Sequence, residues 1–255
     1  MLSLFKTKRE TLFFVGGVGV AMILCVSYWF TQLPPQAVST GATSERQGEL
    51  SIPVPMDKFP EAPWRTEQTL AVRTVTSTPF ARFEIHKVKT ESGAIINDWL
   101  WTDERSHINM LVHLKAEDKF LLFHQKKYGL EKPYYAAIGG LFNDGDTPIA
   151  CARRELLEET GLEAEELVDL GRYRVQVNRG GGILYAFYAK NAVPSKLRKA
   201  SDDYESQEKR LLTREELIKV ALAGEIGEAQ WLATIALGLV YEDHKDLYAK
   251  KSIST

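Results

Sequence analysis

Three glutamates are the residues of this 255-residue chain whose spacing best suits chemistry. Glu155, Glu158 and Glu159 lie in a segment predicted to be helical over 148–160. Side chains three and four residues apart share one face of a helix, so these carboxylates should face the same way. Such crowding of like charge needs a compensating cation, and Mg²⁺ or Mn²⁺ prefers oxygen ligands. The spacing therefore indicates a divalent metal site, and the competing interpretation is a solvated acidic helix face.

The residues around the glutamates form a longer pattern. Gly140 is followed after five residues by Asp146, and seven more residues lead to the run Arg154-Glu155-Leu156-Leu157-Glu158-Glu159-Thr160-Gly161-Leu162. This pattern resembles the signature of the Nudix hydrolase family, G-x5-E-x7-R-E-U-x-E-E-x-G-U, where U is a bulky aliphatic residue. At average residue frequencies it arises by chance on the order of 10⁻⁶ times per chain. One position departs, because Asp146 stands where the family has Glu.

The Nudix resemblance implies a fold and a reaction. The expected fold is an α/β/α sandwich with a mixed β-sheet, and the expected reaction is hydrolysis of a nucleoside diphosphate derivative by metal-activated water. The family's metal ligands map onto Glu155, Glu158 and Glu159, with the backbone carbonyl of Ile138 completing the set. Glu158 either joins the ions or is held by Arg154, four residues before it. Arg154, Glu158 and Glu159 are the catalytic candidates within the signature.

Residues outside the signature resemble those of ADP-ribose pyrophosphatases. The run Gln125-Lys126-Lys127-Tyr128 matches that subgroup's glutamine-basic-aromatic stretch, which implies that Gln125, Lys126 and Lys127 contact the substrate. Solvated lysines at a strand end are the alternative interpretation of the two basic residues. Arg179 lies where the subgroup often carries a Pro-Gly element and is a fourth substrate-binding candidate. The subgroup's catalytic base is an acidic residue in the loop before the final helices, and Glu205 is the candidate for it.

The leading hypothesis is a membrane-anchored Nudix hydrolase that cleaves the pyrophosphate bond of ADP-ribose or a related compound. One alternative is a catalytically weak or inactive Nudix module that binds nucleotide or RNA, or scaffolds a membrane complex; Asp146 and the missing Pro-Gly element favour it. The other is a hydrolase of dinucleoside polyphosphates or coenzyme pyrophosphates. A net charge of −2 argues against bulk nucleic-acid binding. Family likeness alone implies a homodimer through residues 64–105.

Hydrophobic periodicity predicts the elements that would position these side chains. The signature helix, residues 148–160, begins with Pro148 and ends before Gly161, as helices often do. A capping box, Thr213 with Glu216, predicts the start of the first of two closing helices, and the second runs from about 228 to 244. Three strand pairs are predicted, over residues 80–89 with 95–101, 108–114 with 119–124, and 167–177 with 183–189, the last joined by residues 179–182.

The N-terminal part of the chain differs from the rest. No charged residue occurs between Glu10 and Glu45, and 15 of the 19 residues over 12–30 are hydrophobic. Nineteen helical residues span about 28 Å, which matches the roughly 30 Å hydrocarbon core of a bilayer. No small-residue cleavage site follows, which favours an anchor over a signal peptide. The basic flank predicts a cytosolic N-terminus. The expected organisation is a basic tail (1–10), a transmembrane anchor (11–33), a Pro-rich linker (34–63), a β extension (64–105), the Nudix domain (106–246) and a tail (247–255).

Overall fold

The computed structural model of the chain describes residues 64–197 and 207–251. Within these ranges, no helix is both long enough and apolar enough to span a bilayer. The predicted anchor over 11–33 and the predicted linker over 34–63 lie outside the described residues, as does Glu205.

Ten strands and four helices make up the described part of the chain. The strands are β1 Thr69–Ser77, β2 Ala81–Lys89, β3 Ile95–Glu104, β4 His107–Leu114, β5 Lys119–Gln125, β6 Tyr134–Ala136, β7 Ile138–Leu141, β8 Leu162–Gln176, β9 Gly180–Pro194 and β10 Gln207–Leu212. The helices are α1 Pro148–Glu155, α2 Arg214–Leu222, α3 Ala229–Asp243 and α4 Lys245–Lys251, and α1 continues into a π-helical turn over Leu156–Thr160.

The strands form one mixed sheet in the order β1-β2-β3-β9-β4-β5-β10. Three further strands complete the sheet: β6 pairs with β5, β7 pairs with β4, and β8 pairs with β9. The pairs β3·β9 and β4·β9 are parallel and the rest are antiparallel. This mixed arrangement confirms the predicted sheet and the α/β fold class.

Helices cover both faces of the sheet at the interior strand β4. Successive side chains of a strand point to opposite faces. Met110 accordingly joins the core that includes Ala152 of α1, while the adjacent Leu111 joins the core that includes Leu217 of α2 and Ile235 of α3. Each layer of helices thus buries apolar side chains against one face of the sheet, and Trp231 of α3 also packs against the core on the side of the signature helix.

The predicted helix starts are confirmed by their capping contacts. The Thr147 hydroxyl accepts a hydrogen bond from the Ala150 N–H at 3.3 Å, just before Pro148. At the capping box, the Thr213 hydroxyl accepts from the Glu216 N–H at 3.2 Å, and the Glu216 carboxylate accepts from the Thr213 N–H at 2.8 Å. These contacts satisfy backbone donors that a helix start leaves without partners.

The structure corrects the predicted end of the signature helix. The α-helical hydrogen-bonding pattern ends at Glu155, and residues 156–160 form a wider π-helical turn. The Thr160 hydroxyl donates to the Leu156 carbonyl, and Gly161 closes the turn in the left-handed region at φ 75°. Because π-helical turns alter the spacing of side chains around a helix, Glu158 and Glu159 do not follow the ideal α-helical face assumed from the sequence.

The structure also corrects the glycine-rich connection between β8 and β9. Residues 179–182 were expected to form a turn, but Gly180 already begins β9 and pairs with Thr102 of β3. Gly180 has φ 92°, and a Cβ at this position would clash with the Thr102 carbonyl oxygen. The glycine is required because it lets the β extension approach the rest of the sheet closely.

Candidate active site

A cavity of about 850 Å³ lies beside the signature helix. It forms where β4 and β5 separate. The two strands pair only from Val112 opposite Leu121 to Leu114 opposite Lys119; farther along, β4 pairs with β7 and β5 pairs with β6. Residues of the separated segments, including Asn109 of β4, line the cavity. The volume falls in the range of ordinary small-molecule sites.

All three signature glutamates line this cavity. Glu155 is only 7% exposed, which contradicts a solvated acidic face. Its carboxylate lies against Gly140 of β7, where any Cβ would overlap it. The strand and the helix thus approach closely at this point, and a larger residue at position 140 would have to displace the Glu155 carboxylate. Gly140 and Glu155 belong to the same signature, and in the fold they lie against each other.

Arg154 supplies the compensating positive charge. Its guanidinium donates to Glu155 at 2.7 Å, to Glu158 at 3.0 Å, to Asp146 at 3.0 Å and to the Leu141 carbonyl at 2.8 Å. Burial lowers the pKa of Arg154, but its hydrogen bonds to Glu158 and Asp146 and the charge of Glu155 raise it more, so the pKa lies above its ordinary value. The guanidinium therefore stays protonated and connects the helix to the preceding loop.

Asp146, the residue that departs from the family pattern, supports this loop. Its carboxylate accepts from the Asn143 N–H at 3.0 Å and from Arg154 at 3.0 Å. The shorter side chain therefore reaches the guanidinium and orients it. This placement gives Asp146 a structural role at the edge of the site and separates it from the three glutamates.

We expect the contribution of Asp146 to stability to disappear in acid. Burial raises the pKa of its carboxyl, but the Asn143 N–H and Arg154 lower it more, so the pKa lies below 3.8. A lowered folded-state pKa gives stability that is present above the unfolded value and is lost as pH falls through the folded value. Asp146→Asn should cost about 1 kcal/mol at pH 7. Urea unfolding should show the difference shrinking below pH 3.8, and a constant difference would contradict this assignment.

The donor set suits a hard divalent cation. In the described ranges, no three Asp, Glu, His or Cys side chains are close enough together to bind a metal ion as they stand. Arg154 instead contacts one oxygen each of Glu155 and Glu158, so a cation there would compete with it. The chemistry nevertheless fits, because three carboxylates line one cavity and oxygen is the preferred ligand of Mg²⁺ and Mn²⁺.

The predicted substrate-binding residues divide into two groups. Gln125 and Lys127 line the cavity, and Gln125 is 5% exposed. Lys126 is an exposed residue just after β5. Arg179 lies at the tip of the β8–β9 hairpin, where its carbonyl accepts from the Thr102 N–H at 2.8 Å. The structure thus brings two of the four together at the cavity.

The two remaining predicted site residues are Ile138 and Glu205, and the structure describes only the first of them. Ile138 is fully buried in β7, directly before the two glycines that line the cavity. Glu205 lies outside the described residues, but Gln207, two positions later, lines the cavity at the start of β10. The first residue of β10 therefore lies at the cavity, and the position of Glu205 stays a prediction.

Several lining residues were not predicted from the sequence. They include Phe80 in the β1–β2 turn, Asn109 in β4, Gln207 in β10 and Trp231 in α3. Asn109 carried a signal, because a lone amide within the apolar run of β4 is unusual in a buried strand. Phe80 reaches the site through tertiary contacts, since its carbonyl accepts from the Arg105 N–H at 3.4 Å and the Arg105 guanidinium donates to the Phe142 carbonyl.

Cys151 lies on the buried side of the signature helix and does not supply a nucleophile. It is completely buried, and its Sγ is 3.5 Å from the Leu141 carbonyl oxygen. Burial raises the pKa of the thiol to about 12, and the charge of Glu155 adds to this effect. The thiol is therefore neutral at physiological pH, whereas nucleophilic cysteines react as thiolates.

Comparison with known proteins agrees with this geometry. The NUDIX domain model matches residues 105–235, which is just over half of the chain. A crystal structure of an ADP compounds hydrolase matches with a TM-score of 0.58 and 19% identity, over 70% of this chain and 94% of the other. At that identity the structural match shows a shared fold. A search of curated protein sequences returns no match. The domain match and the fold together show that the chain belongs to the Nudix hydrolase family.

Proposed function

We propose that this Nudix hydrolase cleaves the pyrophosphate bond of ADP-ribose or a closely related nucleoside diphosphate derivative. One observation carries the proposal: Glu155, Glu158 and Glu159 line the same cavity as Lys127 and Gln125. Carboxylates suit a phosphate-bound divalent cation, and a lysine suits the phosphates themselves. The solved relative by fold is named as a hydrolase of ADP compounds, which agrees with this choice of substrate class.

The proposed roles are supported by the positions of the described side chains and, for Ile138 and Glu205, by the family resemblance. Glu155, Glu158 and Glu159, with the backbone carbonyl of Ile138, would hold Mg²⁺ or Mn²⁺. A bound divalent cation lowers the pKa of water and neutralises charge that develops on phosphoryl oxygens. Arg154 holds Glu155 and Glu158 in place through the fork of its guanidinium. Lys127 would neutralise the substrate's phosphates, and Gln125 would orient the substrate. Glu205 stays our candidate for the base that accepts a proton from the attacking water.

The aromatic part of the cavity supports a nucleoside substrate. Phe80, in the β1–β2 turn, and Trp231, in α3, both line this part of the cavity. Phe80 precedes the signature in the sequence, and Trp231 follows it. Aromatic rings stack on nucleobases with little dependence on the identity of the base. Phe80 is 67% exposed, so its ring is accessible to a ligand at the cavity.

A substrate panel tests the proposed function. Purified full-length protein with Mg²⁺ or Mn²⁺ should hydrolyse ADP-ribose faster than a dinucleoside polyphosphate or a coenzyme pyrophosphate. Preference for either of the latter would replace the substrate assignment. Tight binding of ADP-ribose without turnover of any compound would favour the non-catalytic alternative, a nucleotide-binding or scaffolding module.

Phe80→Ala should raise the KM for ADP-ribose by about tenfold, with little change in kcat, because it removes stacking on the base and leaves the carboxylates in place. Steady-state kinetics would measure this split. Phe83→Ala is the matched control, since Phe83 is a partly exposed phenylalanine on the adjacent strand β2. A wild-type KM in Phe80→Ala would remove this residue from the nucleobase site.

We also propose that residues 11–33 anchor the protein in a membrane as a single span with a cytosolic N-terminus. The support is the uncharged apolar run and its basic flank. Release of the full-length protein into the supernatant by carbonate extraction would contradict the anchor.

A homodimer through residues 64–105 is proposed from family likeness, and a monomer in equilibrium sedimentation would contradict it.

A further inference from the structure

Asn109 is a buried amide at the cavity that lies outside the signature. It is 3% exposed and lies in β4 between the fully buried residues Ile108 and Met110. Its Nδ2 atom is buried and has no hydrogen-bond partner within the described part of the chain. Unsatisfied buried donors are uncommon and destabilising in folded proteins, so each one requires an explanation.

The position of Asn109 relates it to the catalytic carboxylates. Asn109 pairs with Gly139 across β4 and β7, and a Cβ on Gly139 would clash with the Asn109 Oδ1 atom. The next residue, Gly140, lies against the Glu155 carboxylate. Asn109 therefore pairs with the residue directly before Gly140, and Gly140 lies against Glu155, a proposed metal ligand.

A second buried amide lines the same cavity. Gln125 of β5 is 5% exposed, and its Oε1 atom has no partner among the described residues. The separated strands β4 and β5 thus place two side chains in the wall of one cavity, and these side chains carry an unsatisfied donor at Asn109 and an unsatisfied acceptor at Gln125. Two such groups in one place indicate a polar ligand that completes their hydrogen bonds.

We propose that Asn109 is a substrate-binding residue whose Nδ2 donates a hydrogen bond to an oxygen of the substrate's pyrophosphate. This inference rests on the proposed function, because the pyrophosphate must lie beside the glutamates for its bond to be cleaved there. The Asn109 amide, which lies beside Gly139, would then contact the phosphates of the substrate and not the sugar at its far end. A neutral donor suits this place because it binds phosphate without competing, as a lysine would, for the carboxylates that hold the cation.

Two substitutions separate this role from a structural one. Asn109→Leu replaces the amide with an apolar side chain of similar volume and removes an unsatisfied buried donor, so its Tm should equal or exceed that of the wild type. An asparagine needed for the fold would instead give a lower Tm. Asn109→Asp keeps the shape but replaces the donor with a carboxylate, which repels phosphate. Asn97→Asp, the same change at an exposed position of β3, is the matched control.

The experiment measures Tm, kcat/KM for ADP-ribose, and the Kd of an ADP-ribose analogue whose bridging oxygen is replaced by methylene. We expect Asn109→Leu to lower kcat/KM and weaken analogue binding by about 10- to 100-fold, the range for a hydrogen bond to a charged group. Asn109→Asp should lower kcat/KM and weaken analogue binding more than Asn109→Leu does. Asn97→Asp should match the wild type in both measurements.

The outcomes distinguish this inference from the proposed function. Wild-type kinetics and analogue binding in Asn109→Leu would overturn the role of Asn109 alone. Better binding in Asn109→Asp than in Asn109→Leu would overturn the contact with pyrophosphate, because a phosphate neighbour cannot favour the carboxylate. A wild-type protein that binds the analogue without hydrolysing ADP-ribose would contradict the proposed function, and analogue binding by the variants would still decide the role of Asn109. A wild-type protein that does neither would overturn both.

Discussion

Glu159→Gln should lower kcat/KM for ADP-ribose by about 10³-fold, since losing a metal-binding carboxylate removes several kcal/mol of transition-state stabilisation. The reason lies in the position of Glu159, which lines the cavity from the π-helical turn together with Glu158. The glutamine variant keeps the shape of the side chain and loses only its charge. We therefore expect its Tm to stay close to that of the wild type, and initial rates at saturating Mg²⁺ would measure the effect.

Glu166→Gln provides the matched control for this variant. Glu166 is an exposed glutamate of β8 that lies 3.5 Å from the Lys190 ammonium, and exposed ion pairs contribute little to stability. Its substitution should change neither activity nor Tm. Equal activity in Glu159→Gln and the wild type would show that the cleavage does not depend on this carboxylate, and the assignment of the cavity as the catalytic centre would fail.

Arg154→Ala should both destabilise the protein and reduce its activity. The guanidinium is the hydrogen-bond partner of Glu155, Glu158 and Asp146, so its removal leaves like charges crowded beside a buried glutamate. We expect a loss of about 2–3 kcal/mol in the free energy of unfolding, toward the lower end for broken buried pairs because Arg154 is partly exposed. Urea unfolding would measure the loss of stability, and kcat/KM should fall at least tenfold because the carboxylates lose their orientation.

Mg²⁺ gives a second readout for the Arg154 variant. Without the guanidinium, a divalent cation is the remaining source of positive charge for the glutamates, so Mg²⁺ should raise the Tm of Arg154→Ala more than that of the wild type. Arg153→Ala is the matched control, because Arg153 is the exposed neighbour on the same helix. Identical Mg²⁺ effects in all three proteins would contradict the proposed competition between Arg154 and a cation.

The local parts of the site could be predicted from sequence because they depend on spacing within one segment. Arg154 and Glu158 are four residues apart, and they pair as that spacing requires. The capping box marked the start of α2 for the same reason, and Gly161 marked the end of the π-helical turn that follows α1. Strand β7, which carries Gly140, was not among the predicted strands.

The parts that sequence did not reveal depend on contacts between distant segments. Phe80 and Asn109 reach one cavity only because β4 parts from β5 and the β1–β2 turn is held by Arg105. No local pattern encodes such a register. Strand β10 was missed because its alternation is weak, with mostly exposed residues, and Gln207 was missed with it. The π-helical turn contains the hydrogen bond of the Thr160 hydroxyl and ends at Gly161. Rules of residue spacing do not describe the combined effect of these two residues.

Product analysis in H₂¹⁸O tests the central claim most directly. Full-length protein incubated with ADP-ribose and Mg²⁺ or Mn²⁺ should yield AMP and ribose 5-phosphate in equal amounts, with one ¹⁸O atom in the phosphate of only one product. That result follows if water attacks one phosphorus of the pyrophosphate in line. Absence of cleavage with either cation, or release of adenine or inorganic phosphate in place of these products, would contradict the account.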